Sequence, residues 1–107
     1  MNSRIAVILV AALLLPAIAV SAKEHRVEIS GVKYTPAKLS VKKGDTVVWV
    51  NADDRDHTVI SSDKGKTFSS GKIAAGEKFE HTFGDAGKFE YGCEYHPRMK
   101  AVVEVSE

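Results

Sequence analysis

An all-β domain of about seven short strands, a sandwich or a barrel, is the fold class predicted here, on three observations. Between Lys23 and Glu107 there are ten valines and a single leucine, Leu39, so the apolar content sits in β-branched and aromatic residues rather than in good helix formers. Short alternating or apolar runs recur at roughly ten-residue spacing. Turn chemistry separates them, at Lys43-Gly44-Asp45, Ala75-Gly76-Glu77 and Gly84-Asp85-Ala86-Gly87.

The first 22 residues stand apart. They hold 17 apolar side chains and one charge, Arg4. Arg4 makes a short basic start, Ile5–Leu15 an apolar run, and Pro16 interrupts it before small residues ending at Ala22. That layout predicts a signal peptide over 1–22, cleaved after Ala22, and a single domain over 23–107 in the periplasm or another exported compartment. The apolar run falls short of the ~20 residues a membrane span needs, so no stable insertion is expected after cleavage.

Within 23–107 the runs come in order. Val27–Ser30 is the first, followed by Lys38–Lys42, Thr46–Asn51 and Thr58–Ser61; helical periodicity is absent apart from a single turn expected within Ala52–Asp56. In Lys78–Phe83, period two puts Phe79, His81 and Phe83 on one face, which makes His81 a packed histidine. In Lys88–Cys93, Phe89, Tyr91 and Cys93 share the inward face, so Cys93 ends a row at the rim of the core. Ala101–Val105 closes the set.

Composition narrows function. The 14 basic and 14 acidic side chains of 23–107 balance, which removes the basic footprint of a nucleic-acid binder. The chain is too short for a dinucleotide fold or a multidomain enzyme. One cysteine excludes an internal disulfide. A domain this small buries only a little above ~60% of its unfolded surface, and a bound metal is the natural staple that remains.

The segment Cys93-Glu94-Tyr95-His96-Pro97-Arg98-Met99 sets a thiolate, an imidazole and a thioether three residues apart, where a strand end and a tight loop can gather them. A second imidazole, His57, precedes Thr58–Ser61. Two nitrogens, one thiolate and one weak thioether form the ligand set of blue-copper electron-transfer sites. Zinc also takes cysteine and histidine, but the methionine argues against it. The acidic run Asp53-Asp54-Arg55-Asp56 does not follow the order of a calcium loop and reads as a solvated loop beside His57. If processing occurs after Ala22, Lys23-Glu24-His25 offers an amine, two amides and an imidazole that could wrap Cu(II) in a square plane.

Over nearly all of 23–107 the chain resembles the blue copper proteins (cupredoxins), most of all the amicyanin and plastocyanin branch. The resemblance is carried by Tyr34-Thr35-Pro36, Val41-Lys42-Lys43-Gly44-Asp45-Thr46-Val47, Trp49-Val50-Asn51, His57-Thr58-Val59, Phe68-Ser69-Ser70-Gly71, Gly76-Glu77 and Gly87-Lys88-Phe89-Glu90-Tyr91-Gly92-Cys93. The short Cys-x-x-His-Pro-x-Met loop is its amicyanin-like feature. The resemblance implies a Greek-key β-sandwich of seven to eight strands and one type 1 copper cycling between Cu(I) and Cu(II). His57, Cys93 and His96 would be equatorial ligands and Met99 the axial one. Asn51 would pin the ligand loops, the Thr58 amide would donate to the Cys93 sulfur, and Pro97 would lie on the docking surface around His96. Many relatives carry asparagine where this chain has Thr58 and glycine where it has Ala101.

Four protein ligands leave no open position for substrate, so an electron carrier rather than an enzyme is expected. Its partners would be transient redox proteins, a c-type cytochrome or a dehydrogenase, met by a monomer. Copper carriage without redox turnover is the alternative that the same side chains would serve.

Overall fold

The structure, a computed structural model, describes residues 22–107; the predicted signal peptide, Ala22 apart, lies outside the described residues. Eight strands follow in chain order: β1 (Glu24–Ile29), β2 (Tyr34–Thr35), β3 (Lys38–Lys42), β4 (Thr46–Asn51), β5 (Ile60–Ser61), β6 (Lys78–Thr82), β7 (Gly87–Cys93) and β8 (His96–Ser106). They form two four-stranded sheets, ordered β2-β1-β4-β6 and β3-β8-β7-β5. Each sheet mixes one parallel pair, β1 with β4 or β3 with β8, into otherwise antiparallel pairing. Among the described residues no helix is long and apolar enough to cross a membrane.

β3 and β4 match the predicted runs end to end. β1 starts at Glu24 rather than Val27, because Glu24, His25 and Arg26 pair through their backbones with Thr46, Val47 and Val48 whatever their side chains. β5 is shorter than Thr58–Ser61: the Thr58 amide donates to Cys93 Sγ and the Val59 amide to Ser70 Oγ, not to a ladder. β8 begins at His96 because it pairs back on β7 immediately after the turn. Residues 53–55 form a bend, and 52–56 contain no helical turn.

The core lies between the sheets. Trp49 is fully buried at its centre, edge-on to Tyr91 at 5.4 Å and tilted against Phe68 and Phe79 at 5.7 Å each. His81 is half-buried and packs on Phe68 and Phe83 at 5.1 and 4.7 Å, and burial lowers its pKa below the ordinary 6.5. It is the packed histidine its alternation with Phe79 and Phe83 predicts.

Far from Cys93, the buried Asp45 gathers three donors. Its Oδ1 accepts the Lys23 amide at 2.9 Å, and its Oδ2 accepts the Lys42 amide at 3.0 Å and meets His25 Nε2 at 2.8 Å. The Lys23 amide first, then the Lys42 amide and His25, hold the Asp45 carboxyl down at about 2 against an ordinary 3.8. This arrangement competes with the square-planar site considered for Lys23-Glu24-His25. The imidazole and the Lys23 nitrogen already serve Asp45, and Glu24 and His25 stand in the β1–β4 ladder, which such a site would have to open.

A depressed carboxylate stabilises the fold fully above its ordinary pKa, and that contribution is lost as pH falls through its folded value. The stability advantage of wild type over Asp45→Asn is therefore expected to hold constant above about pH 5 and to shrink toward pH 2. Urea midpoints across that range check it; a difference that ignores pH would refute it.

Candidate metal centre

At the opposite end of the sandwich, two loops meet. The first leaves β4 at Asn51 and reaches His57, whose backbone exchanges hydrogen bonds with Ile73 at 3.1 and 2.8 Å. The second is the tight connection of β7 to β8, where Cys93 faces His96 across Glu94-Tyr95. A register shift between Gly92 and Cys93 turns the strand end there.

These loops bring one donor atom each from His57, Cys93 and His96 within 4.8 Å of one another. Cys93 Sγ lies 3.7 Å from His57 Nδ1, and the two imidazole rings are 5.2 Å apart. His57 is wholly buried, Cys93 and Met99 nearly so, and His96 is half-buried with one side toward the surface. Met99 shares with His96, Pro97 and Val32 the wall of a shallow depression of about 530 Å³, so it sits at this same end. Pro97 is exposed.

The supporting shell is dense. Asn51, fully buried, donates from Nδ2 to the carbonyls of Arg55 and Ile73, both at 2.8 Å, and accepts the Asp53 amide at 3.0 Å. It ties three points of the loop framework together. Thr58 is used at every polar atom. Its amide donates to Cys93 Sγ at 3.4 Å, its Oγ1 accepts the Glu94 amide at 2.9 Å, and its carbonyl accepts the Tyr34 hydroxyl at 2.6 Å. A threonine here thus bridges the first loop to the cysteine loop.

Asp53 departs from expectation. Asp54 next to it is solvated, but the Asp53 side chain is 13% exposed and its Oδ2 lies 2.7 Å from His57 Nε2. The Gly31 and Val32 amides also donate to it, at 2.8 and 3.0 Å. The Val32 amide is foremost in holding its carboxyl below the ordinary range, with the Gly31 amide and His57 adding to it against burial. The reading of 53–56 as a solvated loop is thus corrected at its first residue. The physical reason is the turn in which the Asp53 amide closes on Asn51 Oδ1, folding the chain back over His57. The one sequence signal for it is Asn51-x-Asp53, a side chain able to cap the amide two residues on.

A carboxylate on Nε2 makes that nitrogen the protonated one and leaves the Nδ1 lone pair facing the sulfur. The cysteine sulfur and two imidazoles gathered here suit a soft, tetrahedral or trigonal metal, with Met99 at the same end of the sandwich.

Gly92 leaves little room for a side chain: a Cβ there would stand 3.0 Å from the Met99 carbonyl. Gly92→Ala is expected to push β8 outward beside Met99 and to cost about 1–3 kcal/mol. Urea unfolding checks the cost, and a variant as stable as wild type would refute it.

A family model described as the Cupredoxin-like domain matches residues 3–105. An amicyanin of Paracoccus denitrificans is 35% identical over 82 residues, covering 74% of this chain and 63% of that protein. The chain thus spans a little under two thirds of that relative's length. A plastocyanin of Nostoc punctiforme is 32% identical over 94 residues, covering 71% of this chain and 68% of that protein. Among solved structures, a reduced Cu(I) form of an amicyanin variant superposes with a TM-score of 0.70 at 32% identity, covering 83% of this chain and 86% of that one.

Proposed function

The chain belongs to the cupredoxin-like family, and from that premise we propose that it is an exported type 1 copper protein carrying single electrons between redox partners. The observation that carries this reading is the convergence of His57, Cys93 and His96 within 4.8 Å at one end of a rigid sandwich. His57 Nδ1, Cys93 Sγ, an imidazole nitrogen of His96 and the Met99 thioether would hold the ion. Copper held there would supply a Cu(I)/Cu(II) couple at low reorganisation cost.

The remaining work falls to the chain. Asn51 and Thr58 fix both ligand loops to the backbone, so the donors keep one arrangement in either oxidation state. His96 is the ligand that reaches toward the surface, between Pro97 and Val32, and its ring is the shortest way in or out. Lys33 and Arg98 line the same depression, and neither is in an ion pair among the described residues. A small apolar contact rimmed by unpaired cations favours brief encounters with a partner that offers carboxylates, steered by charge and weakened by salt. Four protein donors leave no place for substrate, which supports a carrier rather than a catalyst.

Stopped-flow oxidation of the reduced, copper-loaded protein tests this. Hexacyanoferrate(III), an anion, is expected to react faster than its charge-free driving force predicts and to slow with added salt; tris(phenanthroline)cobalt(III), a cation, should show the opposite salt trend. Lys33→Glu with Arg98→Glu should reverse both trends. If the protein instead surrenders Cu(I) to a chelator within the mixing time and cycles only sluggishly, copper carriage replaces electron transfer.

A further inference from the structure

We propose that Asp53 is a positioning residue of the metal site, whose carboxylate orients His57 and biases a bound copper toward Cu(II), so lowering the reduction potential. This rests on the copper reading above and adds a residue to it.

Three observations converge. The 2.7 Å contact with Nε2 uses the imidazole nitrogen that is not aimed at Cys93. The carboxylate is nearly buried, so water does little to screen its charge from the ring. And the turn after β1 is bent to serve it: Gly31 and Val32 both take positive φ, 62° and 58°, and aim successive amides at the two carboxylate oxygens. A β-branched residue in that region is a genuine outlier, its Cβ crowding the backbone. Consecutive amides turned to one side form an anion nest. The strain at Val32 is thus matched by the carboxylate it helps hold, and the carboxylate by the imidazole.

The electrostatic consequence has a definite sign. A negative charge hydrogen-bonded behind a ligand raises that ligand's basicity and stabilises the more positive state of the ion more than the less positive one. Removing the charge should therefore weaken Cu(II) binding more than Cu(I) binding. Loss of such a partner typically costs ~10–100-fold in metal affinity.

The test uses the processed, exported protein, wild type beside Asp53→Asn and Val32→Gly. For Asp53→Asn we expect a blue protein whose Cu(II) preference over Cu(I) falls about tenfold, read as a potential about 59 mV higher. Val32→Gly relaxes the turn but keeps the charge, and should leave the potential in place. An unchanged potential in Asp53→Asn overturns the proposal, as does an equal rise in both variants, since either result would make Asp53 only a brace for the turn. A readout without copper separates this from the site assignment. In the metal-free wild type the His57 Nε2–H proton should give a slowly exchanging resonance, lost in Asp53→Ala, which removes the acceptor that asparagine would keep. Its absence from wild type overturns the positioning role, whereas a protein that keeps the resonance but never turns blue would sink the copper reading and leave the orientation of His57 standing.

Discussion

Cys93→Ser is expected to abolish the intense thiolate-to-copper absorption and to lower copper affinity by more than about 100-fold, beyond what loss of an outer-shell partner costs. Serine is nearly isosteric, so the Thr58 amide keeps an acceptor and the fold should survive. What disappears is the soft, charged donor that ties copper to the sulfur side of the cluster. Visible absorption and electron paramagnetic resonance, with one equivalent of Cu(II), decide the matter. An intense blue band with narrow hyperfine splitting in wild type, absent from the variant, is the expected pair of spectra. A pale spectrum common to both would place copper elsewhere on the chain, and the electron-transfer reading would fall with it.

The second large effect is on stability. Asn51→Ala removes a wholly buried amide that satisfies the Arg55 carbonyl, the Ile73 carbonyl and the Asp53 amide at once. The Ile73 carbonyl keeps the His57 amide, but the Arg55 carbonyl and the Asp53 amide lose this partner, at ~1–3 kcal/mol for each left dry, and within one network the sum is not simply additive. A net loss of about 3 kcal/mol is expected, which for a domain of this size lowers Tm by roughly 12 °C or more. Urea unfolding should show the midpoint falling with an unchanged slope. A loss under about 1 kcal/mol would mean that the loops hold their shape without Asn51.

Much of this architecture is legible because its information is local. β3 alternates and β4 is a short apolar run, both between turn residues, and their limits are those the pattern predicts. Cys93, His96 and Met99 stand within seven positions, so their meeting needs one strand end and one turn. β2 is a different case: two residues, Tyr34 and Thr35, join the sheet only because Glu28 and Ile29 lie opposite them, and no periodicity can be read from two positions. Asp53 was hidden for a related reason. Its role depends on amides 21 and 22 residues earlier, in a turn where Val32 adopts a conformation its own side chain opposes. Local preference points away from that turn; the contact that compensates for it is distant.

The pairing of β7 with β8 has a kinetic consequence. It is a hairpin with a two-residue connection, and it carries Cys93, His96 and Met99. The contact of His57 with Cys93 spans 36 residues, and β3 reaches β8 only by a parallel pairing between strands still further apart in the chain. Local hairpins close in microseconds, whereas non-local and parallel pairings come late. The topology therefore predicts an order of assembly in which sulfur and one imidazole meet early and the buried imidazole arrives last. A chain refolding beside a thiophilic metal would first offer it an incomplete set, and the rate at which the final ligand closes would mark the end of folding itself.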